Sequence, residues 1–142
     1  MGFTAPQLQP SLTAPFIMGF ALKVLVERAS VENCLALLLP CATHICRHTD
    51  IVHISAQAGG QVKDTRYVWT HPKMRPWGHE LPVQCPQCFW VRPWISCHSE
   101  TSAAFACKHC DHRLRFSAPK EKNKRLGGAV HGGRWLAVEH TA

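Results

Sequence analysis

CPQC at residues 85–88 and CKHC at residues 107–110 decide the fold expected for the second half of the chain. Each is a Cys-x-x-Cys pair, and eighteen residues separate the two pairs. Two cysteines at this spacing can face one ion from a tight turn, and a spacer of this length lets a second turn reach the same ion. Zn²⁺ takes four tetrahedral ligands and binds thiolates well. The sequence therefore predicts one structural Zn²⁺ site with four ligands: Cys85, Cys88, Cys107 and Cys110.

The residues beside both pairs favour short strands. FACKHCDHRLRF at 105–116 has the pattern of a strand, a metal-binding turn and a second strand. This pattern resembles the zinc-ribbon class over about residues 81–118. The resemblance implies two hairpins whose turns share one zinc ion. A typical ribbon has glycine just after each pair, whereas this chain has Phe89 and Asp111 at those places.

The cysteines have other possible uses besides binding zinc. Eight cysteines would allow four disulfides in a secreted protein. The metal-ligand spacing argues against disulfides, and the N-terminal sequence does not resemble a secretory signal. Both observations favour a reducing intracellular compartment, nucleus or cytoplasm. Iron can use the same four thiolates, so zinc and iron both remain open. Four thiolates fill the coordination shell, whereas catalytic zinc keeps one position open. We therefore expect that the protein is not an enzyme.

CATHICRH at 41–48 is a second possible metal cluster. On a helix, His44 and His48 would share a face, and Cys41 would lie three residues before His44. The alternative is that the cysteines of this stretch, Cys46 included, act as small apolar residues that extend an apolar run. The sequence leaves both interpretations open.

The chain is basic, with a formal net charge of +7 at pH 7, which permits an anionic partner without requiring one. Basic residues follow the second cysteine pair and could contact phosphates: Arg113, Arg115, Lys120, Lys122, Lys124 and Arg125. Three aromatic residues could stack on unpaired bases: Trp90, Trp94 and Phe105. The alternative is that the rings fill a small core and the basic run is a solvated loop.

Three functional classes follow. The zinc unit could present its basic surface to nucleic acid, or zinc could stabilise a module that binds another protein. The first half could also be the remnant of a larger α/β protein. No membrane partner is expected, because the apolar stretches at 16–26 and 34–39 are shorter than the roughly 18 residues that a span requires.

The predicted fold is α+β, with an N-terminal helical segment and a β-hairpin before a small C-terminal β zinc ribbon. Residues 1–15 are expected to form a loose leader, residues 16–78 the helix and hairpin, and residues 79–142 the ribbon with a basic, Gly-rich tail. A chain of 142 residues fits one domain or one domain with a small appendage.

Within 16–78, the helical pattern covers 17–39 and should break near Ala29–Ser30, with Pro40 at its end. Apolar residues recur there at helical spacing: Leu22, Leu25, Val26 and Ala29. The β-branched stretches 51–57 and 62–70, separated by AGGQ, predict the hairpin. Trp135, Ala137 and Val138 indicate a final strand or an anchor near the C-terminus.

Overall fold

The structure is a computed structural model and describes residues 1–98 and 102–141. Helices and antiparallel strand pairs coexist, so the α+β prediction is confirmed. The chain forms two compact units. The first unit is Met1–Trp69 together with Glu121–Ala142, and the second unit is Thr70–Lys120. None of the helices in the described residues is long and apolar enough to cross a membrane.

The first unit is built on a five-stranded sheet. Its strands are β1 (Gly2–Phe3), β2 (Ile51–Ala56), β3 (Val62–Thr70), β7 (Lys122–Val130) and β8 (Gly133–Thr141). Their order across the sheet is β1-β2-β3-β8-β7. The second unit has a three-stranded sheet in the order β4-β5-β6, with β4 at Trp94–His98, β5 at Ser102–Cys107 and β6 at Arg113–Ser117.

The hairpin predicted from residues 51–57 and 62–70 is confirmed. β2 pairs with β3 in antiparallel register, from Ile51 opposite Tyr67 to Ala56 opposite Val62. The connecting turn contains Gly59 and Gly60, both with positive φ (85° and 78°), a conformation that favours glycine. Along β3, Tyr67 and Trp69 enter the core from one face, because successive strand side chains point to opposite faces, and Val68 is buried as well.

The helical region consists of α1 (Pro10–Ala21) and α2 (Val31–Leu38), with a π-helical turn at Leu22–Val26 after α1. Arg28 has a positive φ of 54°, which interrupts the helix. The Ser30 hydroxyl then accepts a hydrogen bond (3.3 Å) from the Asn33 N–H, which caps the start of α2. The predicted break near Ala29–Ser30 is therefore confirmed.

The N-terminal residues differ from the loose leader expected for 1–15. Gly2–Phe3 pairs with β2, and α1 already begins at Pro10. The backbone N–H groups of Thr4 and Ala5 both donate to the Thr49 hydroxyl, at 3.1 and 3.0 Å. A short segment with little periodicity is thus ordered by hydrogen bonds to residues more than forty positions away, which sequence patterns do not reveal.

The helices cover the sheet and form one apolar core with it. Its buried members include residues from both helices and from β2, β3, β7 and β8: Phe16, Leu35, Leu39, Ile45, Ile51, Tyr67, Trp69, Leu126, Trp135 and Ala137. The helical face expected from periodicity is not the buried one, since Leu22, Leu25 and Val26 are exposed. The π-helical turn changes the angular spacing of these residues, so the 3.6-residue pattern does not hold across it.

The C-terminal tail belongs to the first unit and not to the cysteine-bearing one, which differs from the 79–142 boundary expected from sequence. β7 and β8 pair with each other, and β8 lies beside β3. The predicted final strand at Trp135–Val138 is confirmed, and its residues are buried. Burial of these apolar side chains stabilises the first unit, and only the tertiary structure shows which sheet they complete.

Candidate metal centre

The four cysteines lie in two turns of the second unit. Cys85 and Cys88 precede β4, Cys107 ends β5, and Cys110 lies in the connection to β6. Their Sγ atoms all lie within 4.8 Å of one another. Cys85 and Cys107 are buried, and Cys88 and Cys110 are half-buried. The structure therefore brings together all four predicted ligands, in a group that could hold a metal ion.

The sulfur spacing can be tested against the geometry of a metal site. The Sγ–Sγ distance is 3.6 Å both from Cys85 to Cys110 and from Cys88 to Cys107. Four sulfurs placed about 2.3 Å from one tetrahedral ion would lie about 3.8 Å apart. A disulfide would require about 2.05 Å. The donor set and its spacing fit a tetrahedral metal ion and do not fit disulfides.

Backbone hydrogen bonds shape both turns. In the first, the Cys85 N–H donates to the Trp90 carbonyl and the Phe89 N–H donates to the Cys85 carbonyl, both at 2.9 Å. In the second, the Cys107 N–H donates to the His112 carbonyl at 2.8 Å, and the His109 N–H donates to the Cys107 sulfur at 3.4 Å. These bonds hold each Cys-x-x-Cys pair with its two sulfurs turned to the same side.

Phe89 and Asp111 occupy the places where a zinc ribbon typically has glycine. Both have positive φ, 59° and 58°. The backbone therefore makes the turn that glycine would make, although both residues carry a Cβ.

The thiols of the site differ in pKa because they share hydrogen bonds. Burial alone would raise the pKa of Cys85, but the N–H groups of Cys88 and Gln87 and the neighbouring thiols lower it to about 7. At Cys110, the N–H of His112 lowers the pKa, but burial and the other three thiols raise it to about 12. Metals bind the thiolate, so binding of a cation here would release the protons that these sulfurs hold.

Aromatic side chains connect the two turns. The Trp90 ring stacks on the His109 ring, with centroids 4.0 Å apart and an interplanar angle of 29°. Trp90 follows the first cysteine pair, and His109 lies inside the second. The Trp94 indole N–H donates to the Pro82 carbonyl at 2.7 Å. The Trp90–His109 stack thus joins the two turns by a contact between protein side chains.

The predicted stacking residues have different environments. Trp90 is 56% exposed, Trp94 is half-buried, and Phe105 is only 1% exposed. The expectation of a stacking face at Phe105 is wrong, because its ring packs edge-on against Phe116 inside the unit. Phe89, which is not among the predicted stacking residues, is 72% exposed. Its place in a turn is visible in the sequence, but its outward orientation depends on the positive φ.

The second cluster at 41–48 is not assembled. The Cys46 thiol is buried and donates to the Thr43 carbonyl at 2.8 Å. His48 Nε2 accepts a hydrogen bond (3.1 Å) from the Gln9 N–H, while Cys41 and His44 are exposed. Residues 43–48 form turns, so the helical face assumed for these ligands does not exist. Within residues 1–98 and 102–141, the Cys85 group is the one cluster with metal-ligand spacing.

The six basic candidates are divided between the two units. Arg113, Arg115 and Lys120 lie in the second unit, whereas Lys122, Lys124 and Arg125 lie on β7 in the first. All six are exposed. Lys122 is already paired with Glu139 at 3.8 Å. Binding of nucleic acid by these residues stays a prediction. Arg92 is a further exposed cation, four residues after the first cysteine pair, and is not among the predicted six.

Alternation along the strands of the second unit places Arg113 and Arg115 on one face of its sheet. Ala106 lies opposite Arg113, and Ala104 opposite Arg115. Buried Phe105 lies on the other face, since it is offset by one residue from both alanines. The result is a face with alanines on β5, exposed Ile95 on β4 and two exposed guanidinium groups on the edge strand β6.

Comparison of the chain with protein-family models, with curated proteins and with solved structures gave no match.

Proposed function

We propose that the second unit is a zinc-stabilised module, similar to a zinc ribbon, that binds nucleic acid. Zinc is favoured by four thiolates at tetrahedral spacing. Such a shell leaves no open position for a substrate, which supports a structural role for the ion and a binding role for the protein. Ligation also needs reduced thiols, which supports a reducing intracellular location.

The observation that carries the proposal is the pair Arg113 and Arg115 on the open sheet face. Residues two apart on a strand are separated by about 6.8 Å, so the two guanidinium groups can contact successive groups along a polyanion. Both side chains are exposed, and no ion pair to either is found among the residues that the structure describes. The alanines beside them leave room for a ligand to approach the sheet.

The charge of the unit agrees with an anionic ligand. Between residues 70 and 120 there are seven Lys and Arg and three Asp and Glu. Exposed cations close to the metal centre include Arg92 and Lys108. Contacts with phosphates supply a large, sequence-independent part of nucleic-acid affinity, so this distribution supports binding without implying a preferred sequence.

A second candidate is a protein-binding surface stabilised by the same ion. It is favoured by exposed apolar residues near the first cysteine pair: Val83 is 65% and Val91 54% exposed. Such residues are common at interaction sites, although single exposed apolar residues are also normal. Binding through them would depend little on salt, which separates this candidate from the first.

The test is fluorescence anisotropy of a labelled oligonucleotide with the full metal-loaded protein over a salt series. We expect affinity to fall linearly with salt on logarithmic axes. The double variant Arg113→Gln/Arg115→Gln should reduce the slope by about 1.4 for a single strand, since each contact contributes about 0.7.

The control carries the same charge change elsewhere. Arg28 and Arg47 are exposed residues of the first unit, so Arg28→Gln/Arg47→Gln lowers the net charge equally. This control variant should leave the slope of affinity against salt concentration unchanged. Absence of binding at low salt, or equal losses in both double variants, would rule out the proposed site.

A further inference from the structure

Phe89 combines two unfavourable features. Its φ of 59° is left-handed, which is disfavoured for residues with a Cβ, and its side chain is 72% exposed. Glycine would adopt the same backbone without this penalty. A bulky aromatic residue here contributes little to the core of the unit, so its presence points to an interaction outside the chain. Strained positions of this kind are concentrated at functional sites.

Trp90 supplies a second ring beside it. This residue is 56% exposed, and its ring is held by stacking on His109 at 4.0 Å. The backbone on either side is fixed as well, because the Cys85 N–H donates to the Trp90 carbonyl and the Arg92 N–H donates to the Val83 carbonyl at 2.7 Å. Two consecutive aromatic residues are thus presented to solvent from an ordered turn.

Arg92 adds a cation to the segment that carries the two rings. Arg92 is exposed and also has a positive φ, 50°. Four residues, 89–92, therefore present two rings and a guanidinium group, with two non-glycine residues in left-handed conformations. Aromatic faces next to a cation suit a ligand that has flat rings joined by phosphates.

We propose that Phe89 and Trp90 form a stacking site for unpaired bases, with Arg92 at the adjoining phosphate, so that the ligand is a single-stranded nucleic acid. The proposal rests on the proposed function and adds the strand state of the ligand. In a duplex, base faces are covered by their neighbours, and only unstacked bases can lie against a protein ring. Stacking is tolerant of sequence because every base has a π-face.

A peptide rich in proline also binds to exposed aromatic residues. The nucleic acid is favoured because exposed Arg92 follows the rings by two residues in the chain and Arg113 and Arg115 lie on the sheet of the same unit. An uncharged peptide has no anionic group that could pair with these cations.

The experiment compares two ligands with equal phosphate charge. One is a single-stranded oligonucleotide of about ten nucleotides. The other is an abasic oligonucleotide of the same length, which keeps the phosphates and lacks the bases. We expect the parent protein to bind the first at least about fivefold more tightly, which is the low end of what stacking of one base contributes. Phe89→Gly removes one of the two rings and should lower this ratio severalfold, with the remaining preference due to Trp90.

Phe89→Gly is the variant of choice because glycine suits the left-handed turn, so loss of folding cannot mimic loss of the ring. The matched control is Val83→Ala, which removes an exposed apolar side chain from the same turn region and should keep the ratio. Equal binding of both oligonucleotides by the parent, with normal salt dependence, would overturn the stacking site and leave the proposed function intact. Absence of binding to either, with capture of a proline-rich peptide instead, would overturn both.

Discussion

Phe89 and Asp111 have the same left-handed backbone conformation, with φ of 59° and 58°, one residue after the second cysteine of each pair. The two turns of the metal centre are therefore alike in backbone although their sequences differ. Asp tolerates this conformation better than most residues, because its short polar side chain can form local hydrogen bonds. Phe has no such compensation, so the two positions store different amounts of strain.

Replacing Phe89 by glycine should stabilise the protein. Relief of the left-handed backbone is worth about 1–2 kcal/mol, and the greater freedom of glycine in the unfolded chain offsets about 0.5–1 kcal/mol of it. We expect a net gain of up to about 1.5 kcal/mol in the free energy of unfolding of the metal-loaded protein, measured by urea titration. Asp111→Gly should gain less, and a larger gain there would contradict this account of the strain.

One zinc ion should bind per chain, and all four cysteines should be needed to hold it. Native mass spectrometry with elemental analysis should find one Zn²⁺ in the parent and none in Cys88→Ser, because a hydroxyl is a poor substitute for thiolate in such a site. Cys97→Ser is the matched control: Cys97 is exposed on β4 of the same unit and lies outside the metal group. A second ion, iron in place of zinc, or loss of metal in Cys97→Ser would each contradict the prediction.

Gly127 should tolerate no side chain. Its φ is +60°, and a Cβ there would lie 2.6 Å from Pro40 Cγ and 2.8 Å from Pro40 Cβ. The left-handed conformation and the overpacking together should make Gly127→Ala destabilising by about 2–4 kcal/mol, measured by urea unfolding. Gly128 is the control, since a Cβ on it would meet nothing within 4 Å. Equal effects of the two alanine substitutions would show that β7 does not approach Pro40 closely.

Acid should weaken the first unit partly through His53. This residue is buried, and its burial lowers the pKa below the usual 6.5, although Glu32, 3.7 Å away, raises it in part. Because the folded chain takes up this proton less readily than the unfolded chain, the contribution of His53 to stability is complete above about pH 6.5. It is lost as the pH falls through the lowered pKa of the folded state.

The measurement is urea unfolding at several pH values between about 7.5 and 5.5. His53→Gln should lose less stability over this range than the parent protein. His44→Gln, at an exposed histidine of the same unit, should follow the parent. Identical pH profiles for all three proteins would show that His53 does not titrate differently on folding.

The sequence alone identified the four cysteines that the structure brings into one group able to hold a metal ion, because the geometry of a Cys-x-x-Cys turn is local. It also determined the β2–β3 hairpin, whose β-branched residues flank a glycine turn, and the helix break capped by Ser30. In each case residues close in the chain define the structure, so their pattern can be read directly.

Tertiary structure alone decided which elements belong together. The tail strands β7 and β8 join the sheet of the first unit, and Thr49 fixes the N-terminal segment, through contacts between residues far apart in the chain. It also decided orientation: Phe105 is buried and Phe89 exposed, although both are aromatic residues beside a cysteine pair. The physical reason is that pairing and burial depend on long-range packing, whereas sequence periodicity describes only the local face of each element.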